Sequence, residues 1–119
     1  MVIDYLRGSA AVRDQIRNQA RTPLVCAVTV EEVWRGARPD EEKATTALLA
    51  GLRIAPLGLR EGEQAGRWRR EFASRETTLD QADCLIAAAA VGLGARLATG
   101  NPDDFPMEEL DVEHWPVGA

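Results

Sequence analysis

The sequence predicts an α/β fold with a mostly parallel sheet. Two observations carry this expectation. Short apolar runs alternate with helical patterns along the whole chain, as in βα units. The 119 residues and 13.0 kDa fit one domain, taken as residues 1–119, with 45% hydrophobic residues to fill its core.

Each element follows in order. Residues 8–20 read as a helix, with Ala11, Val12, Ile16 and Gln19 near one face, and Thr22-Pro23 breaks it. Leu24 to Val28 is an apolar run expected to form a strand buried on both faces. Thr29 then opens a helix through Ala37, and Pro39 stops it. Asp40 to Gly51 is a further helix, with Ala44, Ala47, Leu48 and Leu49–Leu52 as its apolar stripe. Leu52 to Leu57 is a strand candidate. Residues 60–73 form an amphipathic helix carrying Trp68 and Phe72. Asp80 opens an alanine-rich helix reaching about Gly92. Arg96 to Thr99 is a strand, Asn101 to Asp104 a turn, and Asp111 to Trp115 a last short strand.

Composition excludes several classes. No run of about 18 apolar residues offers a transmembrane helix. Asp4 and Arg7 interrupt the apolar stretch that a signal peptide needs. Cys26 and Cys84 lie inside apolar runs, so buried free thiols in a reducing cytoplasm are expected rather than a disulfide or a zinc site. The net charge is −5, unlike a basic nucleic-acid-binding domain, although a nuclease with an acidic metal site need not be basic overall. The bases are 13 arginines and Lys43. Arg67, Arg69 and Arg70 cluster, but Glu61, Glu63 and Glu71 flank them, so a solvated helix face is the default.

In parallel sheets ligands bind at the carboxyl ends of strands, so the acids that follow strands are weighed first. Glu32 follows the first clear strand, and on spacing alone a capping box with Thr29 as N-cap is the favoured explanation. Its neighbour Glu31 is expected to face solvent. Asp83 could sit at the third position of a helix capped by Asp80, but the residues after it are nearly all small or apolar. Burying an unpaired carboxylate there is costly. Asp104 lies in a turn just past a strand end. Three converging carboxylates repel by ~4 kcal/mol per pair at 4 Å in a surface-like dielectric. A divalent cation relieves that repulsion, and all-oxygen ligands suit Mg²⁺ or Mn²⁺ better than zinc. Competing chemistries have little support. His114 has no evident Ser or Cys nucleophile partner, and there is no phosphate-binding glycine loop.

Four segments resemble the motifs of PIN-domain ribonucleases, specifically VapC-type toxins of toxin–antitoxin pairs. Ile3-Asp4-Tyr5-Leu6-Arg7-Gly8 is similar to the end of the family's first motif. Thr29-Val30-Glu31-Glu32-Val33-Trp34-Arg35-Gly36 is similar to its Thr-x-x-Glu-(Leu/Val)-x-x-Gly segment. Ala82 to Ala88 resembles Ala-Asp-x-Leu-Ile-Ala-Ala, and Thr99 to Phe105 resembles Thr-x-Asn-x-x-Asp-Phe.

The resemblance implies a three-layer α/β/α sandwich, Mg²⁺-dependent RNA cleavage, a cognate VapB-type antitoxin and a homodimer. It assigns Glu32, Asp83 and Asp104 to the catalytic metal cluster. Asp104 is preferred over Asp103 because it precedes Phe105, and Asn101 is a supporting candidate. Asp4 matches a less central acid and reads equally well as a helix-start residue. The family's first catalytic Asp and most of its first strand would fall before Met1. The chain therefore reads as an N-terminally shortened form and a poor nuclease.

Two functions from different classes follow. In the leading one, a cation held by Asp83 and its neighbours activates water for in-line attack on an RNA phosphodiester. The alternative is a catalytically impaired remnant that binds antitoxin. A phosphoacceptor receiver-type domain is disfavoured because the sole lysine, Lys43, lies in a Glu-rich helix start.

Overall fold

The computed structural model describes residues 24–114. The helix expected over residues 8–20, the Thr22-Pro23 break, the segment containing Asp4, the first-strand question and Trp115 lie outside these residues. The elements are β1 (Leu24–Val25), α1 (Ala27–Gly36), a 3₁₀ turn (Pro39–Glu41), α2 (Glu42–Ala50), β2 (Arg53–Ile54), α3 (Leu59–Ala73), α4 (Gln81–Gly92), β3 (Leu97–Thr99), a second 3₁₀ turn (Pro102–Asp104) and β4 (Val112–His114). Among the described residues the strands form two parallel pairs. β1 pairs with β2, Leu24 opposite Arg53, and β3 pairs with β4, Leu97 opposite Val112. The predicted parallel α/β character is therefore present.

The first apolar run departs from expectation. Only Leu24 and Val25 are strand, and Leu24 is exposed rather than buried on both faces. Cys26 is the N-cap of α1, and its carbonyl accepts from the Val30 N–H at 3.1 Å. Five apolar residues cannot distinguish a strand from a strand that turns straight into a helix. Val33, 1% exposed, packs on Val25, with Val30, Leu48, Leu49 and Leu52 around them.

Pro39 follows the end of α1 and also opens the next turn, where its missing N–H costs nothing. The Arg38 N–H donates to Glu41 Oε1 at 2.8 Å. The buried face of α2 also differs from the predicted stripe. Ala44 and Ala47 are exposed, whereas Thr45 is fully buried. Thr45 is tolerated there because its hydroxyl donates to the Glu41 carbonyl at 2.8 Å.

The main core lies between α3 and α4. The Gly58 N–H at the start of α3 donates to Glu61 Oε1 at 2.6 Å. Ala65, Trp68 and Phe72 then recur at helical spacing and face α4. On α4 the facing residues are small, with Cys84 and Ala87 fully buried, so the two helices approach closely around the large Trp68 ring. Phe105, Met107 and Leu110 close this core from the loop before β4. A smaller cluster of Cys26, Ala55 and Ala89 joins α4 to the ends of β1 and β2. Both cysteines are buried free thiols, as expected.

Helices α3 and α4 end in the same hydrogen-bonded motif. After α4, the Ala95 N–H reaches the Ala90 carbonyl and the Gly94 N–H reaches Val91, with Gly94 at φ 62. After α3, the Thr77 N–H reaches Phe72 and the Glu76 N–H reaches Ala73, with Glu76 also at φ 62. Glycine suits this left-handed position, whereas a side chain there costs about 1 kcal/mol or more. Glu76→Gly is expected to stabilise the protein by about 0.5–1 kcal/mol, after the unfolded chain's gain in freedom is subtracted. A urea melt checks this, and a lower midpoint would contradict it.

Candidate active site

The three acids picked from the sequence come from three different elements. Glu32 is the sixth residue of α1, half-buried, and points from the helix that packs against both α2 and α4. The capping explanation for Glu32 does not hold, because α1 starts at Ala27 and Thr29 lies inside it. Glu32 is thus too far along the helix to serve the N-terminal N–H groups. Among the described residues it pairs with the exposed Arg35, 3.8 Å away, which also pairs with Glu31 at 3.4 Å. Glu31 faces solvent, as expected. Such exposed pairs contribute little.

Asp83 is the third residue of α4. The capping of this helix is performed by Asp80, whose Oδ2 accepts from the Asp83 N–H at 3.0 Å. The Asp83 carboxylate has no hydrogen bond or ion pair among the described residues. Its pKa is raised from 3.8 to about 6 by burial first, then by the charges of Asp80, Asp104 and Glu32. A helix N-terminus favours a carboxylate by ~0.3–1 kcal/mol at an exposed site. Here burial and three neighbouring acids outweigh that.

Asp104 closes the 3₁₀ turn after β3 and is exposed. The turn is set by Pro102 and by the Asn101 N–H donating to Thr99 Oγ1 at 3.1 Å. Buried Phe105 anchors the next residue, so Asp104, and not its neighbour Asp103, acts on Asp83. The Asn101 side chain makes no hydrogen bond among the described residues.

The topology therefore brings Glu32 and Asp104 each within electrostatic reach of Asp83. Among the described residues, no three Asp, Glu, His or Cys side chains stand in a ready-made metal ligand set. The donor chemistry, hard oxygens with Asp83 destabilised as an anion, fits a divalent cation. A separate cavity of about 230 Å³ lies at the other end of α4, lined by residues including Arg60, Gln64, Ala89 and Leu93. Its α4 lining lies about 7–15 Å along the helix from Asp83 and contains no acid of the cluster.

Arg69 and Asp80 were not singled out as site residues by the sequence. Asp80 contributes more than Asp104 or Glu32 to raising the Asp83 pKa, yet its carboxylate is engaged as a cap. Arg69 Nε donates to the Leu79 carbonyl at 3.3 Å, where the chain enters α4. Helical periodicity marks Arg69 as surface, and a backbone partner ten residues on leaves no signal in side-chain pattern.

The PIN domain family profile matches residues 1–111. The chain belongs to the PIN domain family. Among relatives, Ribonuclease VapC10 of Mycobacterium tuberculosis is 32% identical over 111 residues, covering 92% of this chain and 84% of the relative. Ribonuclease VapC19 of the same species is 27% identical over 110 residues, covering 90% and 88%. Among solved structures, a DNA-bound VapBC from Salmonella typhimurium matches with TM-score 0.82 and 20% identity, covering 96% of this chain and 92% of that chain. A toxin–antitoxin complex from Klebsiella pneumoniae matches with TM-score 0.81 and 22% identity, covering 99% and 93%. These structures show that the fold of this PIN-domain chain is that of the VapC toxins. The resemblance read from the four motifs is borne out at the level of family and fold.

Proposed function

We propose that this chain is the ribonuclease toxin of a VapBC-type pair, hydrolysing RNA phosphodiesters with a divalent cation, Mg²⁺ or Mn²⁺, held by Glu32, Asp83 and Asp104. The observation that supports this reading is that Glu32 of α1 and Asp104 of the turn after β3 both bear electrostatically on Asp83 of α4. The names of its VapC relatives support the reaction class. The VapBC complexes that share its fold support a VapB-type antitoxin as partner. The same reading takes the single domain to work as a homodimer in the cytoplasm; no helix among the described residues is long and apolar enough to cross a membrane.

The residues divide the work. Glu32, Asp83 and Asp104 supply hard oxygen ligands, and Asp80 fixes the start of α4 so that Asp83 faces the other two. When bound, a divalent cation stabilises charge on the phosphoryl oxygens and acidifies water. Asp83 is a good ligand only when ionised, above about pH 6.

The test is cleavage of a single-stranded RNA by the purified chain with Mg²⁺ and with EDTA. Cleavage is expected only with the metal, and Asp83→Asn is expected to lower it at least a hundredfold. Cleavage that survives EDTA or Asp83→Asn would overturn the proposal. Antitoxin binding without any metal-dependent cleavage would favour the binding-module alternative.

A further inference from the structure

The cavity of about 230 Å³ lies where the start of α3 meets the end of α4, and the nuclease reading makes no use of it. Its α4 lining is apolar or small, with Ala88, Ala89, Val91 and Gly92. Pro56 and Leu93 add further apolar surface. Three polar side chains reach it from the first two turns of α3, namely Arg60, Glu61 and Gln64. The volume is below the ~300–1,000 Å³ of sites for drug-sized ligands, so it suits a molecule of amino-acid size better than a nucleotide.

The polar groups give the cavity two poles. Glu61 Oε1 accepts from the Gly58 N–H at 2.6 Å, whereas Oε2 accepts no hydrogen bond among the described residues. Oε2 faces Gly92, 3.4 Å from where a Cβ on that residue would stand. Helix α4 ends there with no basic residue in its last turn. Its carbonyl end carries roughly half a negative charge, so a cation is favoured between that end and Glu61 Oε2. Arg60 lines the same cavity and forms no ion pair with Glu61. Its guanidinium suits a carboxylate, whose two oxygens match paired N–H groups. Gln64 offers both donor and acceptor. A wholly apolar ligand would leave both poles buried and unmatched. A simple cation meets repulsion from Arg60, and a simple anion meets it from Glu61 and the end of α4.

We propose that this cavity binds a free α-amino acid with an aliphatic side chain. Its ammonium group lies between Glu61 Oε2 and the end of α4, its carboxylate meets Arg60, and its side chain rests on Ala88 and Ala89. The inference stands apart from the nuclease reading, because the lining shares no residue with Glu32, Asp83 and Asp104.

The experiment is calorimetric titration of the full chain with L-leucine, with 4-methylpentanoate, which lacks the ammonium group, and with 3-methylbutylamine, which lacks the carboxylate. Leucine should bind with Kd of roughly 0.1–1 mM, the range for so few atoms in an open site. Each single-charge analogue should bind at least about tenfold more weakly, the scale of one charged hydrogen-bonded contact. Arg60→Gln should weaken leucine about fivefold or more and leave the amine no weaker. Gly92→Leu should abolish binding, because its backbone is helical and its Cβ points at Glu61, so the new side chain fills the cavity. The melting temperature of Gly92→Leu should hold or rise, since leucine is the better helix former. No heat from leucine at about 10 mM would overturn the proposal. So would leucine binding that is unchanged in Arg60→Gln or in Gly92→Leu. An amine that binds as tightly as leucine would also overturn it, by showing a site for cations alone. None of these outcomes bears on RNA cleavage.

Discussion

Asp83→Asn is expected to make the metal-free protein harder to melt at pH 7.5, while removing the function assigned to the site. The folded chain holds the Asp83 proton up to about pH 6, whereas an ordinary carboxyl releases it near 3.8. The carboxyl's contribution to stability is therefore intact below about pH 3.8. It is lost as pH rises through about 6 and is absent at 7.5. Asparagine carries no charge, so the variant escapes this loss. After allowance for solvent screening of a partly exposed group, the gain is about 1 kcal/mol at pH 7.5. That corresponds to a rise of roughly 3–6 °C in Tm for a chain of this size. At pH 4 the two proteins should melt alike. A variant that melts lower than wild type at pH 7.5 would show that Asp83 is not strained by its neighbours. Stability given up at a site that needs clustered acids is a common trade in enzymes.

Trp68→Ala is expected to have the largest effect on folding. Trp68 is 2% exposed and forms the centre of the α3–α4 core. Truncating a buried tryptophan costs about 3–5 kcal/mol, a large part of the ~5–15 kcal/mol that holds a domain together. The indole also donates from Nε1 to Glu109 Oε2 at 2.6 Å, tying α3 to the loop before β4. Trp68→Phe keeps most of the apolar volume and loses that bond, so about 1–2 kcal/mol is expected for it. Urea unfolding of the three proteins separates packing from hydrogen bonding. Equal losses in the two variants would place the whole effect in the indole N–H.

The elements most legible in the sequence are the ones whose pattern is local. Trp68 and Phe72 at helical spacing marked α3, and Asp80 three residues before Asp83 marked the start of α4. Asp104 was legible as an acid just past a strand end, where parallel sheets bind ligands, whereas Glu32 lies well inside α1 and Asp83 in the first turn of α4. Three features were not legible. The run from Leu24 to Val28 is apolar throughout, and the helix that begins at Ala27 brings Val33 onto Val25, a contact the local pattern does not encode. Thr45 is polar, so its burial in α2 depends on a hydroxyl bond to the Glu41 carbonyl that composition does not reveal. Glu76 sits in a left-handed turn with no glycine or asparagine to announce it. The contacts of Trp68 with Glu109 and of Arg69 with Leu79 are tertiary, and nothing in the local pattern encodes either.

The account's central claim is that Glu32, Asp83 and Asp104 act as one divalent-cation site, and calorimetric titration with Mn²⁺ at pH 7.5 tests it most directly. Glu32→Gln, Asp83→Asn and Asp104→Asn should each weaken binding at least tenfold relative to wild type. The neighbouring changes Glu31→Gln and Asp103→Asn should leave it within about twofold, because neither acid faces Asp83. Repeating the wild-type titration at pH 5 should weaken it too, since Asp83 is then largely protonated. Mn²⁺ binding that is indifferent to the three acids, or equally weakened by their neighbours, would contradict the claim.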